Sequence, residues 1–201
     1  MRVVGLDLAG SERRDTGFCA MESDMSCRAE VLHSDEEIIS RTVAARPKVV
    51  SIDAPLFLPL GRASLEVKGP PHFRECDKEL LRMKIRFFPI SLGPMRMLTA
   101  RGMRLRSVFE KENLEVIESF PGAIQDILGI PRKQAGIDKL ERGLRHYGVS
   151  WKRETPLTGD ELDGITSALV GLMYVEGNYR AIGDPKEGLM ILPPANVQNI
   201  S

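Results

Sequence analysis

Short apolar runs that stop at an acidic residue recur along this chain. Val3-Val4-Gly5-Leu6 stops at Asp7, Val49-Val50-Ser51-Ile52 at Asp53, and Leu114-Glu115-Val116-Ile117 at Glu118. Runs of this length, rich in β-branched residues and bounded by turn formers, predict strands. The opening predicts three of them, over residues 3–8, 16–21 and roughly 25–32, with polar turns short enough for an antiparallel meander. Ser34-Asp35-Glu36-Glu37 is a capping box, which predicts a helix to about residue 45 with Ile38, Ile39 and Val43 inward. Residues 48–53 are nearly all apolar, the pattern of a strand buried on both faces.

After Ala54-Pro55 comes a long loop with Pro59, Gly61, Gly69, Pro70 and Pro71, and a loop of that length in a compact domain is expected to be functional or mobile. Residues 75–86 and 94–111 read as helices separated by Phe88-Pro89, and 114–119 as a strand ended by Phe120-Pro121-Gly122. Helices are predicted at about 123–128, 133–147 and 158–177, with a connector at 148–156 and a short closing strand at 188–192. The order is three strands, a helix, a strand, helices, a strand and helices. Three antiparallel strands followed by βα units predict an α/β fold, a mixed sheet with helices on both faces, which is the order of ribonuclease H-like folds.

The acids at the ends of these elements carry the candidate chemistry. Alternation places Val3, Gly5 and Asp7 on one face of the first strand and Val4, Leu6 and Leu8 on the other. In the last long helix Thr158-Gly159-Asp160-Glu161 is a second capping box, so the helix dipole alone favours an acid at Asp160. Asp163 lies deeper, where Asp is a poor helix former and no cap explains it. It shares a face with Asp160, one turn away, and Gly164, Ser167 and Gly171 continue that face as a stripe of small residues. Such a stripe lets the helix lie close on a sheet and brings Asp163 towards the strand ends.

Acids gathered at one sheet edge repel one another unless a hard divalent cation lies between them. Asp7, Asp53, Glu118, Asp160 and Asp163 are therefore the expected metal ligands, with Asp7, Asp53, Glu118 and Asp163 as the catalytic set. The reaction this suits is phosphodiester hydrolysis, which needs an activated water, neutralised phosphate charge and a stabilised leaving oxyanion. Two Mg²⁺ or Mn²⁺ ions roughly 3.5–4 Å apart supply all three.

Composition narrows the partners. A chain of 201 residues, 42% hydrophobic and 28% charged, is expected to form one domain over 1–193 with a polar tail at 194–201. No apolar run approaches the roughly 20 residues that span a bilayer, so no membrane partner is expected. Three unpatterned cysteines, Cys19, Cys27 and Cys76, predict reduced thiols in a cytoplasmic protein. A net charge of zero argues against nucleic-acid binding by the whole surface. Between Arg74 and Arg106, however, nine basic residues stand against three acids, an excess of +6. Arg74, Lys78, Arg82 and Arg86 are the candidate phosphate contacts there, with a solvated helix pair as the alternative. His33, His72 and His146 have no Ser or Cys partner at a recognisable spacing, and His72 with Cys76 lacks the further ligands of a zinc site.

These motifs resemble a family of uncharacterised proteins described as predicted nucleases with a ribonuclease H fold. The resemblance runs from Val4 to about Pro193. It rests on Gly5-Leu6-Asp7, Ile52-Asp53-Ala54-Pro55-Leu56, Arg74-Glu75-Cys76-Asp77, Glu115-Val116-Ile117-Glu118-Ser119-Phe120-Pro121 and 160–168. The Asp-x-x-Asp opening of the last helix is also similar to that of Holliday-junction resolvases. The resemblance implies Asp7, Glu118, Asp160 and Asp163 as metal ligands, Asp53 as an additional or substitute acid, and phosphate contact around Arg74. It implies a metal-dependent nuclease acting on DNA or RNA.

Two other readings use the same residues. One is a nucleic-acid-binding module that keeps the fold without catalysis. The other is a nucleotide-binding protein of the actin and sugar-kinase type, whose first phosphate loop Asp7-Leu8-Ala9-Gly10-Ser11 resembles. A second glycine-rich loop after Asp53 is missing, since Ala54-Pro55 stands there.

Overall fold

The computed structural model describes residues 1–153 and 155–195. The meander forms as the alternation requires: β1 (Arg2–Asp7), β2 (Thr16–Glu22) and β3 (Ser26–Leu32) pair antiparallel in sequence order. Helix α1 (Asp35–Ala45) starts on a complete capping box, with Ser34 Oγ accepting from Glu37 N and the Glu37 carboxylate accepting from Ser34 N. Strand β4 (Val49–Asp53) then returns parallel to β1.

The loop from 54 to 74 is tied together by Arg62. Its guanidinium, 7% exposed, donates to the carbonyls of Val67, Gly69 and Pro71. Helix α2 (Glu75–Arg82) stops short of the expected 86 because Lys84 takes a left-handed conformation, φ 61°. Helix α3 (Gly93–Lys111) and strand β5 (Glu115–Ser119) follow, β5 parallel to β4. Helix α4 (Pro121–Leu128) comes next.

The expected helix over 133–147 is two elements, a 3-10 turn at Lys133–Ala135 and helix α5 (Ile137–His146). Gly136 divides them at φ 133°, a conformation that a side chain would resist. Two strands went unforeseen. Strand β6 (Ser150–Trp151) is only two residues long, and β7 (Arg180–Asp184) buries a single large apolar residue, Ile182. Helix α6 (Gly159–Val175) and strand β8 (Gly188–Leu192) complete the order. The expected tail lies mostly in 196–201, outside the described residues.

The eight strands form one mixed sheet in the order β6-β3-β2-β1-β4-β5-β8-β7. Alternation along β1 and β4 divides the core in two. Val3 and Val49 join α6, α4, α5 and α2 on one face, while Val4, Leu6, Val50 and Ile52 join α1 and α3 on the other. Helix α6 is buried through thirteen successive residues, Glu161 to Met173. It lies so close to the sheet that a Cβ on Gly5 would overlap the Gly164 carbonyl oxygen and the Ala168 backbone. A Cβ on Gly17 would likewise overlap the backbone of Asp160. The small-residue stripe therefore brings the start of α6 onto the ends of β1 and β2. Among the described residues no helix is long and apolar enough to cross a membrane.

Candidate functional site

Asp7 and Asp53 are Cα partners at the C-terminal ends of adjacent parallel strands, β1 and β4. Register partners in a parallel pair point to the same face, which here is the face that α6 covers. Asp163 and Asp160 reach that edge from the first turns of α6. Lys133 stands among them, with its Nζ 2.8 Å from Asp163 Oδ2, 3.0 Å from Asp160 Oδ1 and 3.6 Å from Asp7 Oδ2. The other oxygen of Asp163 accepts a 2.7 Å hydrogen bond from Gln125 Nε2, which also donates to Thr166 Oγ1. Both Asp163 oxygens are thus oriented by neighbours.

The electrostatics follow from this crowding. Burial pushes the Asp7 carboxyl up to about 7, with Asp163 and Asp160 adding to the shift and Lys133 opposing it. Burial pushes Asp53 well above the ordinary carboxylate range, with Asp7 and Asp163 adding and Lys133 opposing. Burial alone would lower the pKa of the Lys133 ammonium, but Asp7 and Asp163 outweigh it and keep the group protonated. The edge gathers four carboxyls around the Lys133 ammonium, and burial favours the neutral forms of the two on the strands.

The structure does not bring Glu118 to this group. In the β4–β5 register Glu118 is the partner of Ile52, and Ser119 that of Asp53. One residue of phase sends Glu118 to the opposite face. There it is 1% exposed, accepts a 2.7 Å hydrogen bond from Leu56 N and pairs with Arg74 Nη1 at 2.7 Å. Arg74 is buried too, and its remaining nitrogens go to Asp77. Its candidate role as a phosphate contact gives way to an internal one: with Asp77 and Glu118 it closes the 54–74 loop onto the sheet.

The rest of the basic stretch is largely paired. Lys78 and Arg82 both reach Glu75, Arg96 reaches Glu66, and Arg106 reaches Glu110 and lies over the Phe57 ring. Arg101, 4% exposed, binds Asp35 and the carbonyls of Ala9 and His33, fastening the loop after Asp7 to the start of α1. Arg104 also pairs with Asp35. Lys84 and Arg86 have no ion-pair partner among the described residues. A groove of about 1210 Å³ lies at the far end of the sheet, lined by Arg2, Ala20, Arg28, Arg41 and Lys152. Glu22, Asp24 and Glu30 line it as well, and it holds none of the five candidate site acids.

Sequence reasoning missed Lys133, Gln125 and Ser119. The Gly136 break was the available signal for Lys133, since it frees the preceding residues from a helix. Nothing in the sequence separates Ser119 from Glu118 without the strand register. Ser119 is 2% exposed, and its Oγ has no hydrogen-bond partner among the described residues. No three acidic, histidine or cysteine side chains among the described residues are gathered on one point as they would be around an ion.

No protein-family model matches the chain, nor does any curated protein sequence. Among solved structures it is similar to Thermus thermophilus RuvC in complex with Holliday junction substrate. That match has a TM-score of 0.54 and 13% identity, covering 88% of this chain and 97% of the other. Another Thermus thermophilus RuvC structure matches over the same shares at 14% identity, with a TM-score of 0.41, too low to carry an argument. The first likeness, with the mixed sheet and the helices on its two faces, establishes a ribonuclease H-like fold.

Proposed function

We propose that this chain hydrolyses nucleic-acid phosphodiesters with the help of Mg²⁺ or Mn²⁺ at the edge formed by Asp7, Asp53, Asp160 and Asp163. One observation carries the reading. Asp7 and Asp53 leave adjacent strands in register, and Lys133 ties Asp7 to both acids of α6. Buried acids this close are costly to a metal-free fold, and such cost concentrates at functional sites.

The donor set fits the ion. All the candidate ligands are hard oxygens, and Mg²⁺ takes one or two carboxylates while keeping several waters. When bound, the ion lowers the pKa of a water and polarises a phosphoryl oxygen. Asp7 and Asp53, in register at the ends of adjacent strands, would hold it. Asp163 is fixed by Gln125 through one oxygen and gives the other to Lys133. Lys133, protonated and partly exposed, is placed to offset phosphate charge. Arg86 and Lys84, without an ion pair among the described residues, are the cations of the 74–106 stretch best suited to a phosphate backbone. The Holliday junction bound to the Thermus thermophilus neighbour supports nucleic acid as the partner class.

The test is cleavage of single-stranded, duplex and branched DNA and RNA with Mg²⁺, with Mn²⁺ and in chelator. Metal-dependent cleavage is expected, abolished by Asp7→Asn and by Asp163→Asn. Cleavage in chelator, or cleavage that survives both substitutions, removes the proposal. A second reading, a binding module without turnover, is favoured by Lys133 itself, which already supplies a positive charge to the acids. Salt-sensitive binding with no turnover in any divalent metal would select it.

A further inference from the structure

We infer that this edge takes a single divalent ion, between Asp7 and Asp53, and that the Lys133 ammonium permanently fills the place of a second one beside Asp160 and Asp163. The inference rests on the metal-dependent reading above and departs from the two-ion arrangement that the acids alone suggest.

The argument starts from the distribution of partners. Lys133 makes close contacts with Asp163 and Asp160, at 2.8 and 3.0 Å, and a longer one with Asp7, at 3.6 Å; it makes none with Asp53. The cation is therefore off-centre. It is in direct contact with the α6 pair, reaches Asp7 at longer range, and leaves Asp53 with no cation in contact among the described residues. Ser119 marks the Asp53 side. Its register partner is Asp53, so its side chain stands on the same face beside that carboxylate, and its buried Oγ lacks a partner among the described residues. Thr42, Ser51 and Ser167 also carry buried hydroxyls without a partner among the described residues, and of the four only Ser119 is the register partner of a candidate ligand. An ordered water or ion is one ordinary cause of such a group. A water of a hydrated ion held by Asp7 and Asp53 supplies that partner.

Lys133 is also built into its position. It belongs to the 3-10 turn set off by Gly136, and its stem lies across Gly159, the first residue of α6. A Cβ on Gly159 would stand 3.1 Å from Lys133 Cδ, tighter than ordinary packing. Gly159 therefore makes room for the stem, whose terminal ammonium meets the acids one and four residues further along the helix. A second dication at Asp160 and Asp163 would have to evict an ammonium already held by two carboxylates. Like charges in one small space exclude each other.

Ion counting tests this without relying on turnover. Mn²⁺ is titrated into the metal-free protein, with bound ions counted by isothermal titration calorimetry and by loss of the free-ion paramagnetic signal. One ion per chain is expected for the wild type and for Lys133→Arg. Two are expected for Lys133→Met, falling back to one when Asp160→Asn is added. Ser119→Ala is expected to weaken the wild-type ion several-fold without changing the count. Two ions on the wild type, or none, overturn the inference even if Lys133→Met does not fold. One ion on both the wild type and a folded Lys133→Met also overturns it. One ion on a protein that cleaves no nucleic acid leaves the stoichiometry standing and removes the nuclease reading instead.

Discussion

Gly5 on β1 and Gly164 on α6 face each other with no room for a methyl group between the strand and the helix. That closeness lowers the start of α6 onto the sheet and sets Asp163 beside Asp7. Gly5→Ala must push α6 outward, because the obstructing atoms are backbone rather than flexible side chain. The expected loss is about 1–3 kcal/mol or more in urea unfolding, as for other overpacked cores. Gly93→Ala, at a position with open space around it and no positive φ, is the control and should be neutral or slightly stabilising. Equal behaviour of the two variants would contradict the close approach.

Arg74 and Glu118 are each almost wholly buried and depend on one another. Removing the guanidinium by Arg74→Met leaves the Glu118 and Asp77 carboxylates uncompensated, and a loss of about 3–5 kcal/mol is expected. Glu118→Gln keeps an acceptor for Leu56 N and should cost less. If Glu118 acts only through folding, any cleavage activity of Glu118→Gln will track its folded fraction. A fully folded variant with no activity would return Glu118 to the chemistry.

Asp7 predicts an unusual pH profile for the metal-free protein. Its carboxyl titrates near 7 in the fold and near the ordinary 3.8 when unfolded. Between those values the folded chain keeps a proton that the unfolded chain has released, so this group's contribution to stability falls as pH rises. The loss between pH 4 and pH 7 is at most about 4 kcal/mol by linkage. Asp7→Asn should flatten that slope and be the more stable protein at pH 8, as measured by denaturant midpoints across pH. Parallel curves for the two proteins would refute the raised value.

Arg101 holds the loop after Asp7 by donating to Ala9 O and His33 O while pairing with Asp35. Arg101→Met strands those carbonyls and should cost about 2–4 kcal/mol. It should also raise amide exchange in residues 8–15 ahead of the rest of the sheet. Exchange that rises uniformly would place Arg101 among ordinary core residues.

Much of the fold was legible because one-dimensional patterns decided it. The alternation in Val3–Asp7 assigned both faces of β1, the Ser34 box started α1, and Asp163 stood out as an acid that no cap explained. The misreadings share a cause, the dependence on partners distant in sequence. Glu118 and Ser119 are adjacent, and only pairing with β4 decides which one turns towards Asp53. The charge of the 74–106 stretch was counted correctly, but Asp35, Glu66, Glu110 and Glu118, all outside the stretch, cancel most of it. Strands β6 and β7 are too short or too polar to announce themselves and exist because β3 and β8 offer them an edge. Lys133 was hidden in what read as a helix, and its role became visible only once α6 had a place.

The burial of α6 also dictates when the acids can meet. The helix rests on β1, β2 and β4, strands from the opposite end of the chain, so Asp7 and Asp163 are joined only after the longest loop in the fold has closed. The first 53 residues carry Asp7 and Asp53, while Asp160 and Asp163 lie more than a hundred residues further on. The repulsion between the strand and helix carboxylates thus arises only as α6 docks, the same step that fills the core on that face of the sheet.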